Sequence, residues 1–578
     1  MQKNSKTGRS DPQSGIKARL VQHAERLGIG PVVHSRHVQR AAKWFLGPAL
    51  LFFVGFYFFS PQYWGHFNGM FFIDGGDGYQ NVWNIWWIDW AVAHLHQNPW
   101  VTQYVHWPEG MSLISQTMNP FNGFLVLPFI ELAHLNIVQA VNAVVIFSFV
   151  MSGLTMMWFV HYISRSYAAA VFAGALFTFS SYHFSHAIGH MQLISMEWVP
   201  LFMLAWWRLI EKPSFKMAIG AASALFLVML CDYYYLFYSV LAAVIILAYF
   251  LIKHTLPVTK RNVLIFLTFG AICLVTIAPF FYLLVHQNAQ DPLLGAHDEA
   301  FFSLDPFMLV IPPSFWEQLG LLSPRWPFVA ESGMYLGLAL LVPLFVLFFF
   351  RKRFTLPRWL NVWWIIFFVF AILSLGPRLR VWGHSLDSVP LPYAALTKLV
   401  PTLEVSGMPM RMIFMAIFAA IVIASFFFKK IDLTRTKGKV LFGLVIVIFI
   451  IDIYPKIALP RGVIDYPPYV TVLRDLRQRG GTGIVDDAAF SPMAALYYQT
   501  VHHKPLVFGY TTRIPTSVEK QNKQISDDIN FGRQDKLCSV YHVRYFATRI
   551  YFNNGFPIIY NDPATKIHIY DVKNGDGC

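Results

Sequence analysis

Along most of the chain, apolar runs of 17 to 25 residues alternate with short polar stretches. Such runs are long enough to cross about 30 Å of hydrocarbon as helices. They predict spans at about 44–60, 137–161, 166–183, 193–210, 215–231, 236–252, 262–285, 333–350, 359–375, 410–428 and 438–454. The stretch 120–134 (PFNGFLVLPFIELAH) is short and holds Pro120, Pro128 and Glu131, so it reads as interfacial or re-entrant. Tyr79 to Gln97 reads as a helix in the headgroup zone, with its tryptophans at the interface. Beyond residue 456 the pattern changes. Arg474 to Arg479 reads as helix, GIVDD, VRYFATRI and KIHIYDV read as strands, and 510–538 is more polar and reads as mobile. The expected fold is an all-α polytopic membrane protein of about eleven spans with a small α/β C-terminal domain.

Composition agrees with this reading. Of 578 residues 56% are hydrophobic and 13% charged, about half the charged share of an ordinary soluble domain. The net charge of +14 does not point to nucleic acid, because the basic residues sit in short clusters between apolar runs. With the N-terminus inside, the clusters at Arg165, Lys212 and Lys216, Lys253 to Arg261, Arg351 to Arg358 and Lys429 to Lys439 all fall in cytoplasmic loops. The expected organisation is a basic cytoplasmic arm at 1–43, a transmembrane domain at 44–455 and an extracytoplasmic domain at 456–578. Outer loops are expected at 61–136, 286–332 and 376–409. The chain reads as a multi-pass protein of the plasma membrane, in contact with its lipids, with its C-terminal domain outside. The arm has no signal-peptide pattern and suits contact with anionic lipid. Cys231 and Cys273 read as packing residues, whereas Cys538 and Cys578 fit either a disulfide or free thiols.

The acids stand out against this background. FFIDGGDGYQNVWNIWW places Asp74 and Asp77 just beyond the first span, among glycines that allow close approach of backbone or ligand. Two readings stay open: caps of the following helix, or reactive carboxylates. In YHFSHAIGHMQ, His183, His186 and His190 fall on one face of a continuous helix, and with Glu197 they suggest either a metal site or packed interfacial histidines. Asp232, Tyr233, Glu331 and Tyr335 fall at outer span ends. Phosphate-binding P-loop, serine-elbow and HExxH patterns are absent from the sequence, as is a short-period repeat.

The runs GDGYQNVWNIWW, HWPEGMSL, NPFNGFLVLP, FSSYHFSHAIGHMQLISMEWVPL, ESGMYLG, LSLGPRLRVWG, VPLPYAALTKLVPTLEVSGMPMRMIF and YYQTVHHKPLVFGYTTR extend over most of the chain. By these motifs the chain resembles bacterial multi-span proteins of the GT-C glycosyltransferase superfamily. The resemblance implies transfer of a sugar from a polyprenyl-phosphate carrier to a glycan, lipid or protein acceptor on the outer face. It implies Asp77 as the first-loop acid, with Asp74 as second choice. A single carboxylate can take the acceptor proton and stabilise positive charge at the anomeric carbon. Arg411 is the implied phosphate contact, against a simple snorkelling arginine, and Arg378 and Arg380 are alternatives. Glu331, Glu197 and His190 are further candidates for substrate contact. The resembling subgroup reads Arg-x-Pro-x-Arg where this chain has GMPMR, so Gly407 replaces one cation. Some of these enzymes use a divalent metal and others none; no metal ligand is assigned. A non-catalytic protein of envelope assembly is the second reading, and a transporter the third, since the spans hold few ionisable groups.

Overall fold

A computed structural model describes residues 35–311, 333–400, 403, 407–453, 459–477, 481–552 and 555–572. A helix lies in every segment expected to span. Five helices are long and apolar enough to cross a membrane by themselves, and a sixth if Lys260–Thr276 and Ala278–Gln290, bent by 45°, act as one. Shorter apolar helices such as Pro120–Ala133, Phe215–Cys231 and Leu338–Phe349 pack among them. The chain is thus a helical integral membrane protein.

Local signals set the helix limits. Ile137–Ser164 opens on a capping box between Asn136 and Gln139 and stops at Arg165, which is left-handed. Ile413–Phe428 is apolar all round and buried almost throughout, as a helix without a polar face must be. It packs against Leu338–Phe349, Asn361–Ser374 and Tyr167–Thr178. At the rim the pattern inverts: Lys260–Thr276 buries only Ile265 and leaves Val263, Leu264, Leu267 and Leu274 exposed, a lipid-facing surface.

The C-terminal region forms a four-stranded sheet in the order Gly483–Asp486, Val543–Thr548, Ile567–Asp571, Ile558–Asp562. Its first pair is parallel and the others antiparallel. Three of these strands coincide with the expected ones. The helix expected at 474–479 instead runs Pro468–Asp475, started by Pro468, whose missing N–H costs nothing there. The stretch expected to be mobile carries the helix Thr516–Asn530, which buries Val518 and Ile525 two turns apart. A single apolar stripe on a polar helix is a weak sequence signal.

The first loop and the C-terminal sheet share one interior. Trp107 enters a core with Val485, Val543, Phe546 and Tyr570, and its indole N–H donates to the Tyr541 carbonyl at 3.0 Å. Gln499 accepts from Trp83 Nε1 at 2.6 Å and donates to the Tyr104 carbonyl at 2.6 Å. This overturns the headgroup placement of the first-loop helix. Asp77–Asp89 is buried from Gly78 to Asp89, between Pro492–His502 and Pro120–Ala133, because the C-terminal region covers the face that a lipid surface would otherwise take. The same contacts make YYQTVHHKP a packing element.

Candidate active site

The loop before Asp77–Asp89 is built around Asp74. Its Oδ1 accepts from the backbone N–H of Gly78 at 2.8 Å and of Gly76 at 3.2 Å. Its own N–H donates to the Ile188 carbonyl at 2.7 Å. Asn81 reaches across the same seam, donating to the Gly189 carbonyl at 2.7 Å. Only glycine fits at 189, since a Cβ there would lie 2.7 Å from Asp74 Oδ1. Asp74 therefore caps the turn, and burial raises its carboxyl above the ordinary value despite the two backbone donors.

The seam brings His190 onto Asp77. Nε2 of His190 lies 3.2 Å from Asp77 Oδ2, and its Nδ1 lies 3.2 Å from His186 Nδ1. With His190 neutral, Nε2–H donates to the carboxylate and Nδ1 accepts the His186 N–H. The Tyr510 phenol also donates to Asp77. The His190 hydrogen bond leads in holding the Asp77 carboxyl below its usual range; Tyr510 and the Arg411 charge add to it, while burial opposes them. Burial, then Asp77, pushes the Tyr510 phenol up to about 12. Asp77 keeps 39% and His190 27% of their side-chain surface, so this carboxylate is ionised and reachable.

Arg411 stands at the start of the buried helix Ile413–Phe428, in the turn Pro409–Met412. Its guanidinium lies over the Tyr234 ring at 5.4 Å. Asp232 caps Tyr233–Ile252 by accepting from Tyr234 N–H at 2.6 Å, and the charges of Arg411 and Arg513 both act on it. Arg513 is held in turn by Gln116, whose Oε1 accepts from the backbone N–H of Thr512 at 2.9 Å and of Arg513 at 3.3 Å. Asp232, Tyr234, Gln116 and Arg513 form the polar end of a cavity of about 850 Å³. Ser115, Thr117, Asn119 and Asn288 add polar groups to the lining, and the rest is largely apolar, from Leu225 and Met229 through Phe237 and Val240 to Cys273 and Leu284. Asp77 does not line this cavity; it joins the polar end through Tyr510 and Arg411.

Other expected residues lie elsewhere. The histidine face is broken, because Ser181–His186 ends before Gly189 and a second short helix begins at Met191. His183 is fully buried on Phe149, with its ring nitrogens facing the carbonyls of Thr178 and Ile194. Glu197 is fully buried and accepts from Ser148 Oγ at 3.0 Å, inside the bundle rather than at the cavity. Arg378 is exposed on the hairpin Arg378–Val381, His384–Pro390, where Arg380 donates to the Phe301 carbonyl at 3.1 Å. Glu331 lies outside the described residues. Gly407 is left-handed, and a Cβ would meet the His297 carbonyl at 2.1 Å, so this backbone has no room for an arginine. Tyr510 and Arg513, which close the FGYTTR run, were not singled out by the sequence reading; nothing in their spacing ties them to residue 77.

At Asp77 two metal donors meet, its carboxylate and His190, with a guanidinium supplying the nearby positive charge. Among the described residues, three metal-ligand side chains gather within 4.8 Å at Asp89, His94 and Glu131, at the other end of the same helix. Cys538 is disulfide-bonded, while Cys231 and Cys273 are free.

Among solved structures, the Archaeoglobus fulgidus oligosaccharyltransferase in its apo form aligns at 14% identity, over 87% of this chain and 69% of that one, with a TM-score of 0.44. The archaeal oligosaccharyltransferase from the same organism in complex with an inhibitory peptide and a dolichol-phosphate aligns at 13% identity over 86% and 70%, TM-score 0.40. A complex of that enzyme with zinc and sulfate aligns at 14% identity over 82% and 64%, TM-score 0.42. Among curated proteins no significant relative is found. The model of one family, described as "Domain of unknown function (DUF6311)", matches residues 47–454, and the chain belongs to that family.

Proposed function

We propose that this DUF6311 member is a membrane glycosyltransferase that moves a sugar from a polyprenyl-phosphate donor to an acceptor hydroxyl or amide on the extracytoplasmic face. One arrangement carries the reading: Arg513 stands at the polar end of an apolar cavity, and a reachable, ionised carboxylate, Asp77, joins that end through Tyr510 and the nearby charge of Arg411. An isoprenoid chain matches the apolar walls, and an anionic phosphate matches Arg411 and Arg513. Asp77, joined to that end through Tyr510, then faces the acceptor.

The acceptor oxygen or nitrogen attacks the anomeric carbon as the bond from that carbon to the phosphate oxygen breaks. The lipid phosphate leaves with the electron pair, stabilised by the guanidinium groups. The acceptor's proton moves to Asp77 as the new bond forms. A carboxylate held below its ordinary range is a weak base in the ground state. It therefore positions the acceptor first and takes the proton late, when attack has made that proton acidic. His190 and His186 fix the carboxylate's orientation. Among the described residues only two metal donors meet at Asp77, and the step is written with this chain's own side chains.

The same reading puts the N-terminus inside and the sheet outside. The basic clusters support it, and so does the disulfide at Cys538, which belongs in an oxidising compartment. The deciding experiment gives purified protein a panel of polyprenyl-phosphate sugars and follows release of the lipid phosphate. Asp77→Asn should stay folded, within about 1 kcal/mol of wild type, and lose transfer. Full transfer by that variant would remove Asp77 from the reaction.

A further inference from the structure

The far end of the first-loop helix holds a second cluster that the transfer reading does not use. Asp89 closes the helix Asp77–Asp89, and the chain continues as one π-helical turn, Trp90–His94. The wider turn brings residue i+5 beneath residue i, so His94 comes under Asp89. Nε2 of His94 lies 3.7 Å from Asp89 Oδ2 and 3.4 Å from Glu131 Oε1. Glu131 comes from Pro120–Ala133, which packs tightly on Ile88 through Gly123.

Donors about 2.0–2.2 Å from a tetrahedral ion stand about 3.4 Å apart. Asp89 is 5% exposed, and the second oxygen of its carboxylate, Oδ1, is buried with no hydrogen-bond partner among the described residues. Two carboxylates brought this close repel each other, and an unpaired buried carboxylate oxygen is costly. A dication answers both. His94 keeps 46% of its side-chain surface and Glu131 36%, so the cluster has a path to water and an open coordination position.

We propose that Asp89, His94 and Glu131 bind a divalent ion of the zinc class, which staples the first-loop helix to Pro120–Ala133. One nitrogen and two carboxylate oxygens suit such an ion better than calcium or magnesium, which prefer oxygen alone. The ion is structural, holding from below the helix whose other end carries Asp77.

Full-length protein in detergent, stripped with chelator and titrated with zinc chloride, tests this by calorimetry, metal analysis and thermal melting. One zinc per chain should bind and raise Tm. His94→Ala and Glu131→Gln, both at accessible positions, should each weaken binding at least about 100-fold, beyond the 10- to 100-fold that outer-sphere partners cost. Both should melt with the apo wild type, while Asp77→Asn and His190→Ala bind as wild type does. If the wild type takes up no zinc, or if Asp77→Asn abolishes binding and His94→Ala does not, the proposal is wrong.

Discussion

Two aspartates close the two ends of one buried helix and meet opposite fates. Asp77 stands at the N-terminus, where the peptide dipoles favour negative charge. It is reached by His190 and Tyr510 and sits in the field of Arg411, and its carboxyl lies below the ordinary range. Asp89 stands at the C-terminus, where the dipole disfavours a carboxylate. Burial first, and then the charge of Glu131, push it up to about 6. Residue type is the same, and so is the helix. Exposure and neighbours decide that one end offers a charged group to a ligand and the other stores electrostatic stress.

After loss of the Asp77 carboxylate itself, the largest effect expected from disturbing the first end is that of Arg411→Ala. If its guanidinium stabilises a leaving phosphate, transfer should fall by about 100- to 1000-fold, as for loss of one preorganised donor. Arg378→Ala, on the hairpin, should change transfer by less than about threefold, the scale of an exposed surface charge. Equal losses from both variants, measured as lipid-phosphate release, would move the phosphate site to the hairpin.

Next comes the seam. Gly189→Ala forces a methyl group against Asp74 Oδ1 and should destabilise by about 1–3 kcal/mol while pulling His190 off Asp77. Asp74 itself supplies the sharper contrast. Asp74→Asn keeps an acceptor oxygen for the two backbone donors and should retain transfer. Asp74→Ala loses the cap and should cost about 0.5–2 kcal/mol in thermal melting. Loss of transfer in Asp74→Asn with normal stability would make Asp74, not Asp77, the reactive carboxylate.

What the sequence made legible follows from the range of each interaction. The helices in all the expected spans were legible because a long apolar run is a local property. So was the turn before the tryptophan helix, since glycines beside acids let the backbone turn sharply. The turn alone could not separate Asp74 from Asp77, and only the resemblance ranked Asp77 first; their surroundings depend on Gly189, 112 residues beyond Asp77, which leaves room beside Asp74. The histidine face failed for a related reason: helical spacing assumes one helix, and the chain breaks between His186 and His190 to form the seam. Tyr510 and Arg513 were out of reach because the C-terminal region folds back over the first loop through contacts such as Gln116 to Thr512, 396 residues apart. The tryptophan helix deceived by composition, since an aromatic belt and a buried seam within the protein use the same residues.

The smallest expected effect tests the charge state at Asp77 directly. Its folded-state pKa is lowered, so ionisation favours the folded protein above the ordinary value of 3.8. That contribution is lost as pH falls through the lowered value, where the carboxyl becomes protonated in the folded state as well. Because the side chain keeps 39% of its surface, solvent screens the contribution to under about 1 kcal/mol. The stability gap between wild type and Asp77→Asn due to this carboxyl should therefore be largest well above pH 4 and shrink on acidification. Melting curves of both proteins over that range give the sign. A gap that widened as the pH dropped would mean that Asp77 binds its proton more tightly when folded, like Asp89. The two ends of the helix would then be alike, and a charged carboxylate facing the acceptor would have to be given up.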